Sequence, residues 1–305
     1  MSGLAPLVLS KQDVSLIDQH FKETLRNLLR LHSCTPSPVI YFLAGSLPGT
    51  ALVHLRQLTL FGMICRLENN ILNTHARNIF SSSTPSMKSW FFQIREICLS
   101  YSLPHPLVLL TNPLTKQQFK KITKSAVVDY WEQKLRAEAT NLSSLQFFSP
   151  SFMTLVSPHP IWTTAGSSPS KVAMATVQAL MLSGRYRTQK LCSHWSQQTS
   201  GYCLLAKTCS TSIEDLPHIL SKCDGLLPIR EKLLRFTLNY CEVNPIIKQI
   251  VLPLCQPSNP AFCQFMLDCS VLPQVILLHQ FHGNIILQHL FHITRSWTYT
   301  LHKER

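Results

Sequence analysis

Apolar side chains recur along most of this chain at steps of three and four residues, the period of one face of an α-helix. In the first such segment Ser10 lies three residues before Asp13, the spacing of an N-terminal capping box. Further helices are predicted over residues 51–67, 90–98, 172–182, 226–241, 245–254, 260–268 and 277–302. Strand-like alternation is weak throughout. The pattern therefore predicts an all-α protein, built as an elongated helical array.

The clearest amphipathic helix is predicted to begin at Thr115, with Gln118 in the capping-box position. Its apolar face is predicted to consist of Phe119, Ile122, Ala126 and Tyr130. The same helix carries a row of four lysines, which are Lys116, Lys120, Lys121 and Lys124. Like charges at i and i+4 repel by about 0.2–0.5 kcal/mol per pair, so we interpret this lysine row as a surface offered to phosphate groups. The alternative is a solvated face with counterions.

Two segments lack helical periodicity and are rich in serine and proline. Residues 147–170 suggest a domain boundary, which divides the chain into a helical region over residues 1–150 and a second helical region over residues 151–305. Residues 81–86 are predicted to be a linker.

Cationic and aromatic side chains alternate beyond the helix predicted over residues 172–182. They are Arg185, Tyr186, Arg187, Lys190 and Trp195. Because guanidinium and ammonium groups bind phosphates and aromatic rings stack on bases, this segment is a candidate for nucleic-acid contact. The alternative is a loop whose aromatic rings only pack.

The strongest chemical pattern is Cys-x5-Cys-x8-His-x4-Cys, formed by Cys203, Cys209, His218 and Cys223. Three thiolates and one imidazole suit a tetrahedral zinc ion, and a site with four protein ligands is structural because no position is left for a substrate. The sequence therefore predicts a small zinc-finger-like element at about residues 192–230. Thr211 or Ser212 is predicted to cap its short helix.

Two alternatives remain open for this element. Cys192 and His194 lie just upstream and could replace one of the ligands, because the five residues between Cys203 and Cys209 are many for one loop. The four residues could also be buried and free of metal, since the chain holds 11 cysteines and 13 histidines.

The net charge of the chain indicates what kind of partner it binds. The 28 lysines and arginines exceed the 15 aspartates and glutamates by 13, which gives the formal net charge of +13. Such an excess favours a polyanionic partner, most simply RNA or DNA, although it could serve only to keep an apolar chain in solution.

Catalytic patterns are missing from the sequence. The only adjacent carboxylates, Glu214 and Asp215, fit the start of a helix better than an acid–base pair. No glycine-rich phosphate loop, no Gly-x-Ser-x-Gly turn and no His-Glu-x-x-His occurs, so we expect no enzymatic activity.

The cysteine pattern and the apolar segments suggest a location. Eleven scattered cysteines with no disulfide framework and no secretory signal at residues 1–9 suggest an intracellular protein, nuclear or cytoplasmic and not secreted. The longest apolar stretches are too short or too interrupted to span a bilayer, so no membrane association is expected.

Six segments together resemble the region that follows the palm domain in the reverse transcriptase of LINE-type (non-LTR) retrotransposons. They are AGSLPGTALVHLRQLTLFGMICRL, SWFFQIREICLSYSLPHPLVLL, VVDYWEQKLRAEA, SPHPIWTTAGSSP, MLSGRYRTQKLCSHWS and GYCLLAKTCSTSIEDLPHILSKC. The last of these is similar to the Cys-Cys-His-Cys finger of that family, in which an arginine follows, here Arg230.

The resemblance implies a thumb-like and linker region followed by a zinc finger, used to hold template RNA or target DNA. The family's polymerase signature with two adjacent aspartates is missing, and two-metal nucleotidyl transfer requires such carboxylates. The expectation is therefore a non-catalytic fragment that binds RNA or DNA. The alternatives are a scaffold that packs on a polymerase domain or another partner, and a retroelement remnant without present function.

Overall fold

The computed structural model describes residues 3–67, 71–81 and 89–305. This described part of the chain is mainly α-helical and contains no β-strand, which confirms the all-α prediction. The linker predicted over residues 81–86 lies outside it except for Ser81.

Fifteen α-helices are found in the described residues. They are α1 (Lys11–Leu28), α2 (Ser37–Ala44), α3 (Gly49–Cys65), α4 (Ile71–Ser81), α5 (Trp90–Ser100), α6 (Pro106–Thr111), α7 (Lys116–Thr140), α8 (Pro160–Thr163), α9 (Pro169–Leu182), α10 (Gln189–Ser193), α11 (Leu227–Val243), α12 (Pro245–Leu254), α13 (Phe262–Leu267), α14 (Pro273–His282) and α15 (Asn284–Glu304).

The chain forms two compact units that differ from the two predicted domains. The first contains the chain up to Leu25 and Ser46–Glu138, and the second contains Arg26–Gly45 and Ala139–Arg305. Residues 147–170, where a boundary was predicted, therefore lie inside the second unit. Their apolar side chains explain this, because Phe148, Leu155 and Ile161 are buried there.

Both capping boxes form as predicted. At the start of α1 the Ser10 backbone N–H donates to the Asp13 carboxylate at 2.9 Å, and the Asp13 N–H donates to Ser10 Oγ at 3.1 Å. At the start of α7 the Thr115 backbone N–H donates to Gln118 Oε1 at 3.2 Å, and the Gln118 N–H donates to Thr115 Oγ1 at 3.3 Å. Each box satisfies donors that a helix N-terminus leaves free.

The buried face of α7 differs from the predicted one. Phe119, Thr123, Val127 and Leu135 are buried, whereas Ile122 and Tyr130 are exposed. The Phe119 ring packs so closely on Gly62 of α3 that a Cβ there would lie 2.6 Å from it. Thr123 tolerates burial because its hydroxyl donates to the Phe119 carbonyl at 2.7 Å. Close packing on glycine thus decides the rotation of the helix, and a threonine completes the buried face.

Helix α15 forms the centre of the second unit and packs against α9, α11, α12, α13 and α14. Its Trp297 is fully buried, and the indole N–H donates to Thr237 Oγ1 of α11 at 2.9 Å. Gln178 of α9 donates to Thr294 of α15 at 3.0 Å. The helix predicted over residues 277–302 is interrupted at Gly283, which has a φ of +61° and separates α14 from α15.

The segment Arg26–Gly45 joins the second unit through backbone contacts. The His159 N–H donates to the Leu43 carbonyl at 3.1 Å. A Cβ on Gly45 would lie 2.0 Å from the Ser157 backbone, and its φ of +59° suits glycine.

The described residues contain no single helix that is both long and apolar enough to cross a membrane. Two consecutive helices, α2 and α3, meet the requirement only when taken together across the bend between them.

Candidate metal centre

A backbone bridge brings the first two cysteines together. Tyr202 and Ile213 form an isolated antiparallel bridge, and beside it the Cys203 N–H donates to the Ser212 carbonyl at 2.9 Å. Within the loop between Cys203 and Ser212, the Cys209 carbonyl accepts a second bond from the Ser212 N–H at 2.9 Å. The five-residue gap after Cys203 is therefore spanned by a loop whose ends are joined.

The histidine and the third cysteine lie at the two ends of one helical turn. His218 begins the π-helical turn His218–Lys222, and the Cys223 N–H donates back to the His218 carbonyl at 2.8 Å. Asp215 caps this turn, because its carboxylate accepts from the His218 N–H at 3.0 Å. Thr211 and Ser212 do not cap it, since the bridge at Ile213 keeps the chain extended until Glu214.

Four side chains converge in this element, as the spacing predicts. The ligand atoms of Cys203, Cys209, His218 and Cys223 all lie within 4.8 Å of one another, and all four residues are buried. The Sγ of Cys203 lies 3.4 Å from that of Cys209 and 3.6 Å from that of Cys223, and the third sulfur pair is 3.9 Å apart. The cluster does not include Cys192 or His194, so the structure selects Cys203 as its first member.

The electrostatics of the three thiols are unequal. Burial raises the pKa of Cys223 to about 12, with contributions from the neighbouring Cys203. Burial also raises the pKa of Cys203. The pKa of Cys209 is lowered: burial opposes ionisation, but hydrogen bonds from the other two thiols and from the Asp224 and Gly225 backbone outweigh it. Three thiolates this close together require a cation between them.

His218 is also suited to bind a metal ion. Burial lowers its pKa, and a neutral imidazole is the form that binds metals. Its Nε2 atom is buried, and no described residue forms a hydrogen bond with it. Since buried polar atoms are nearly always paired, this nitrogen and the three sulfurs fit a metal ion, and the buried Cys3His cluster can hold one.

Gly225 sets the close approach of the two loops around the cluster. A Cβ at this position would lie 2.9 Å from the Leu205 carbonyl oxygen. A side chain here would therefore push apart the loops that carry Cys203 and Cys223.

A buried ion pair joins the element to Arg305, the residue that follows α15. Glu214 is buried, and its carboxylate accepts from Arg305 at 2.5 Å and from the Gln189 N–H at 2.9 Å. The Arg305 guanidinium also lies 5.4 Å from the centre of the Tyr186 ring. Glu214 was expected to serve helix capping, but Asp215 does so, and Glu214 instead anchors the element.

We expect Arg305→Ala to destabilise the second unit by about 2 kcal/mol, because it leaves the buried Glu214 carboxylate short of a charged donor. Urea unfolding measures this change. Lys303→Ala is the matched control, since Lys303 is an exposed cation in the last turn of α15, two residues before Arg305, and packs over Tyr299. Equal stability of the two variants would contradict the anchoring role.

The lysine row is exposed as predicted: Lys116, Lys120, Lys121 and Lys124 all point to solvent on α7. Within the second unit, Arg187 and Lys190 are exposed and Arg185 is half-buried. Lys190 lies 3.7 Å from the Asp215 carboxylate. The Trp195 ring is 52% exposed and stacks on His32, with ring centres 6.1 Å apart.

Tyr186 corrects the predicted set of stacking residues. It is only 8% exposed, and its hydroxyl bonds His302 Nδ1 at 3.0 Å. With Arg305 over its ring, Tyr186 is part of the packed interior and offers no face to a base. The alternative reading of this aromatic residue, a ring that packs, is the correct one.

The sequence analysis did not predict that the charged side chains of Glu214 and Arg230 are buried. Arg230 is 5% exposed on α11, and electrostatic interactions connect it with His218 and Cys223. The resemblance singles out Arg230 as the arginine that follows the finger, but nothing in the sequence indicates that its side chain is buried.

Comparisons with protein-family models, with curated proteins and with solved structures give no match to this chain.

Proposed function

We propose that this chain is a non-catalytic nucleic-acid-binding protein whose second unit is held together by a structural zinc ion. The observation that carries the zinc assignment is the convergence of three buried sulfurs and one unpaired imidazole nitrogen. Zinc binds thiolates at about 2.3 Å in a tetrahedron, which places the sulfurs roughly 3.8 Å apart. The observed separations of 3.4–3.9 Å agree with that value.

The donor set also defines the role of the ion. Four protein ligands complete the tetrahedral shell of zinc, so the ion would stabilise the fold and would not activate water. The residues that would hold it are Cys203, Cys209, His218 and Cys223.

Exposed positive charge supports RNA or DNA as the partner. The lysine row lies on one helix without a carboxylate at 4.0 Å or less from any of its members among the described residues. Binding to a polyanion would relieve the repulsion within the row, because phosphate charges neutralise the lysines while the lysines displace cations condensed on the nucleic acid. In the second unit, Arg187, Lys190 and Trp195 offer cations and a half-exposed ring.

We expect Lys116→Glu, Lys120→Glu and Lys124→Glu together to weaken nucleic-acid binding and to flatten its salt dependence. Each lost phosphate contact lowers the slope of log K against log salt by about one unit, so a change of about three is expected. Fluorescence anisotropy with a labelled single-stranded RNA and a DNA duplex, at several salt concentrations, measures it.

The control removes the same charge from the same unit. Lys11, Arg56 and Arg95 are exposed on three different helices, α1, α3 and α5, and their change to glutamate alters the net charge equally. If both triple variants lose affinity and salt dependence to the same extent, net charge alone determines nucleic-acid binding and the lysine row has no specific role.

The proposed origin is the region after the palm domain of a LINE-type reverse transcriptase. The ordered series of six resembling segments and the Cys3His cluster support this origin, and the missing pair of aspartates supports a non-catalytic role.

A protein-interaction scaffold is the second candidate. Three large apolar side chains, Leu277, Phe281 and Ile285, are exposed on α14 and the start of α15, and the first two are four residues apart on one face. A scaffold would show no salt-dependent binding in the anisotropy experiment, so the same measurement separates the two functions.

A further inference from the structure

Arg230 carries a positive charge in the interior beside the candidate metal centre. It lies in the second turn of α11 and is 5% exposed. Its Nε and one terminal nitrogen, Nη1, are buried and have no hydrogen-bond partner among the described residues. A buried guanidinium in this condition is strongly unfavourable unless a negative charge compensates it.

No carboxylate in the described part of the chain lies within 4.0 Å of Arg230 to form an ion pair. Its sequence neighbour Glu231 and Asp224 are both exposed, and Asp224 stabilises the charge of Arg230 less than Cys223 does. The buried groups that interact with Arg230 are His218 and Cys223, both members of the cluster.

The net charge of the cluster with a dipositive metal ion bound is equal and opposite to the charge of Arg230. Three thiolates contribute −3 and a dipositive ion contributes +2, so a centre with a neutral imidazole carries one negative charge. Arg230 supplies one positive charge. A monopositive ion would leave the pair with one negative charge in excess, and a tripositive ion would leave one positive charge in excess.

We propose that Arg230 is the counter-charge of an anionic metal centre, so that the site takes a dipositive ion with all three cysteines as thiolates. This inference rests on the metal-binding part of the proposed function and not on nucleic-acid binding. Arg230 acts through the thiolates and does not bind the ion, which makes it a positioning residue.

A matched arginine exists in the same unit. Arg295 is 2% exposed on α15, and its Nη1 atom is likewise without a partner in the part of the chain that the structure describes. Its Nε donates to the Phe291 carbonyl at 2.8 Å, and its electrostatic partner is Cys269, which is outside the cluster. Removing Arg295 therefore tests the loss of a buried arginine without changing the charge of the centre.

The experiment measures Zn²⁺ affinity of the full chain by competition with a chelating dye, for wild type, Arg230→Gln, Arg230→Lys and Arg295→Gln. We expect Arg230→Gln to lose about 10–100-fold in affinity, the range seen when a group behind a metal ligand is removed. Arg230→Lys keeps the charge and should stay within about threefold of wild type. Arg295→Gln should melt at a lower temperature but retain the affinity.

Co²⁺ substitution supplies a readout that a merely structural role would not change. Loss of the positive charge raises the energy of the thiolate electrons, so the thiolate-to-cobalt absorption band of Arg230→Gln should shift to longer wavelength. The band of Arg295→Gln should not shift.

Two results would overturn the inference alone: wild-type affinity and an unshifted band in Arg230→Gln, or a loss of affinity of about 10-fold or more in folded Arg230→Lys. The second result decides the question even when Arg230→Gln does not fold. A wild-type chain that binds no dipositive ion would refute the metal site and this inference together, while the lysine-row experiment would still test nucleic-acid binding.

Discussion

Replacing Cys223 by alanine should release the metal ion and unfold the element around it, residues 201–226. Cys223 is completely buried and contacts both other sulfurs of the cluster. Three remaining ligands hold zinc far more weakly than four, and the binding free energy of structural zinc, roughly 10–16 kcal/mol in small fingers, is also folding free energy. Since whole domains are stable by roughly 5–15 kcal/mol, this is the largest effect that we expect.

Metal content by mass spectrometry and helicity by circular dichroism measure the result. One zinc per chain is expected in wild type and none in Cys223→Ala. Cys255→Ala is the matched control, because Cys255 is also completely buried in the second unit but lies outside the cluster. Equal metal content in the two variants, or a well-folded wild type without metal, would refute the centre.

Replacing Asp268 by alanine should destabilise the second unit by about 3 kcal/mol, because it leaves buried hydrogen-bond donors of His159 and Ser270 without an acceptor. Asp268 is fully buried, and its carboxylate accepts from His159 Nε2 at 3.2 Å and from the Ser270 hydroxyl at 2.6 Å and N–H at 3.2 Å. The His159 Nδ1 in turn accepts from the Ile161 N–H, which places the ring proton on Nε2. Loss of the carboxylate therefore leaves several buried donors unpaired.

Urea unfolding of Asp268→Ala and of Ser270→Ala measures this cost. Ser270→Ala removes the hydroxyl that donates to Asp268 and should cost about 1 kcal/mol. A similar small loss in both variants would show that the His159–Asp268 pair contributes little.

The same carboxylate predicts a pH dependence. Burial raises the pKa of Asp268, but the interaction with His159 and the hydrogen bonds from His159 and Ser270 together lower it below 3.8. A carboxyl group with a lowered pKa in the folded state stabilises the protein above its unfolded pKa, and this stability is lost as pH falls through the folded pKa. The stability gap between wild type and Asp268→Asn should therefore shrink below about pH 4. A gap that is constant between pH 6 and pH 3 would exclude an ionised Asp268.

Local patterns in the sequence predicted much of the secondary structure. The capping boxes at Ser10 and Thr115 form as expected, since their bonds join residues three apart and depend on nothing distant. The break at Gly283 was missed, because a glycine within an apolar run has no signal of its own until its φ is known.

The four members of the metal cluster were also predicted, because the chemistry of the donors and their closeness in sequence limit the choice. The choice between Cys203 and the upstream Cys192 or His194 required the bridge between Tyr202 and Ile213. Backbone pairing of this kind depends on closing a loop, which spacing alone does not reveal.

The sequence by itself determined that the protein is all-α, that Ser10 and Thr115 cap their helices, and that cysteines and a histidine between residues 192 and 223 can share a metal ion, because these properties depend on local period and residue chemistry. Only the tertiary structure decided which face of α7 is buried, that Tyr186 packs beneath Arg305, and that Glu214 and Arg230 are buried charges. These outcomes depend on residues far apart in the chain, such as Gly62 with Phe119 and Glu214 with Arg305, whose contacts exist only once the chain is folded.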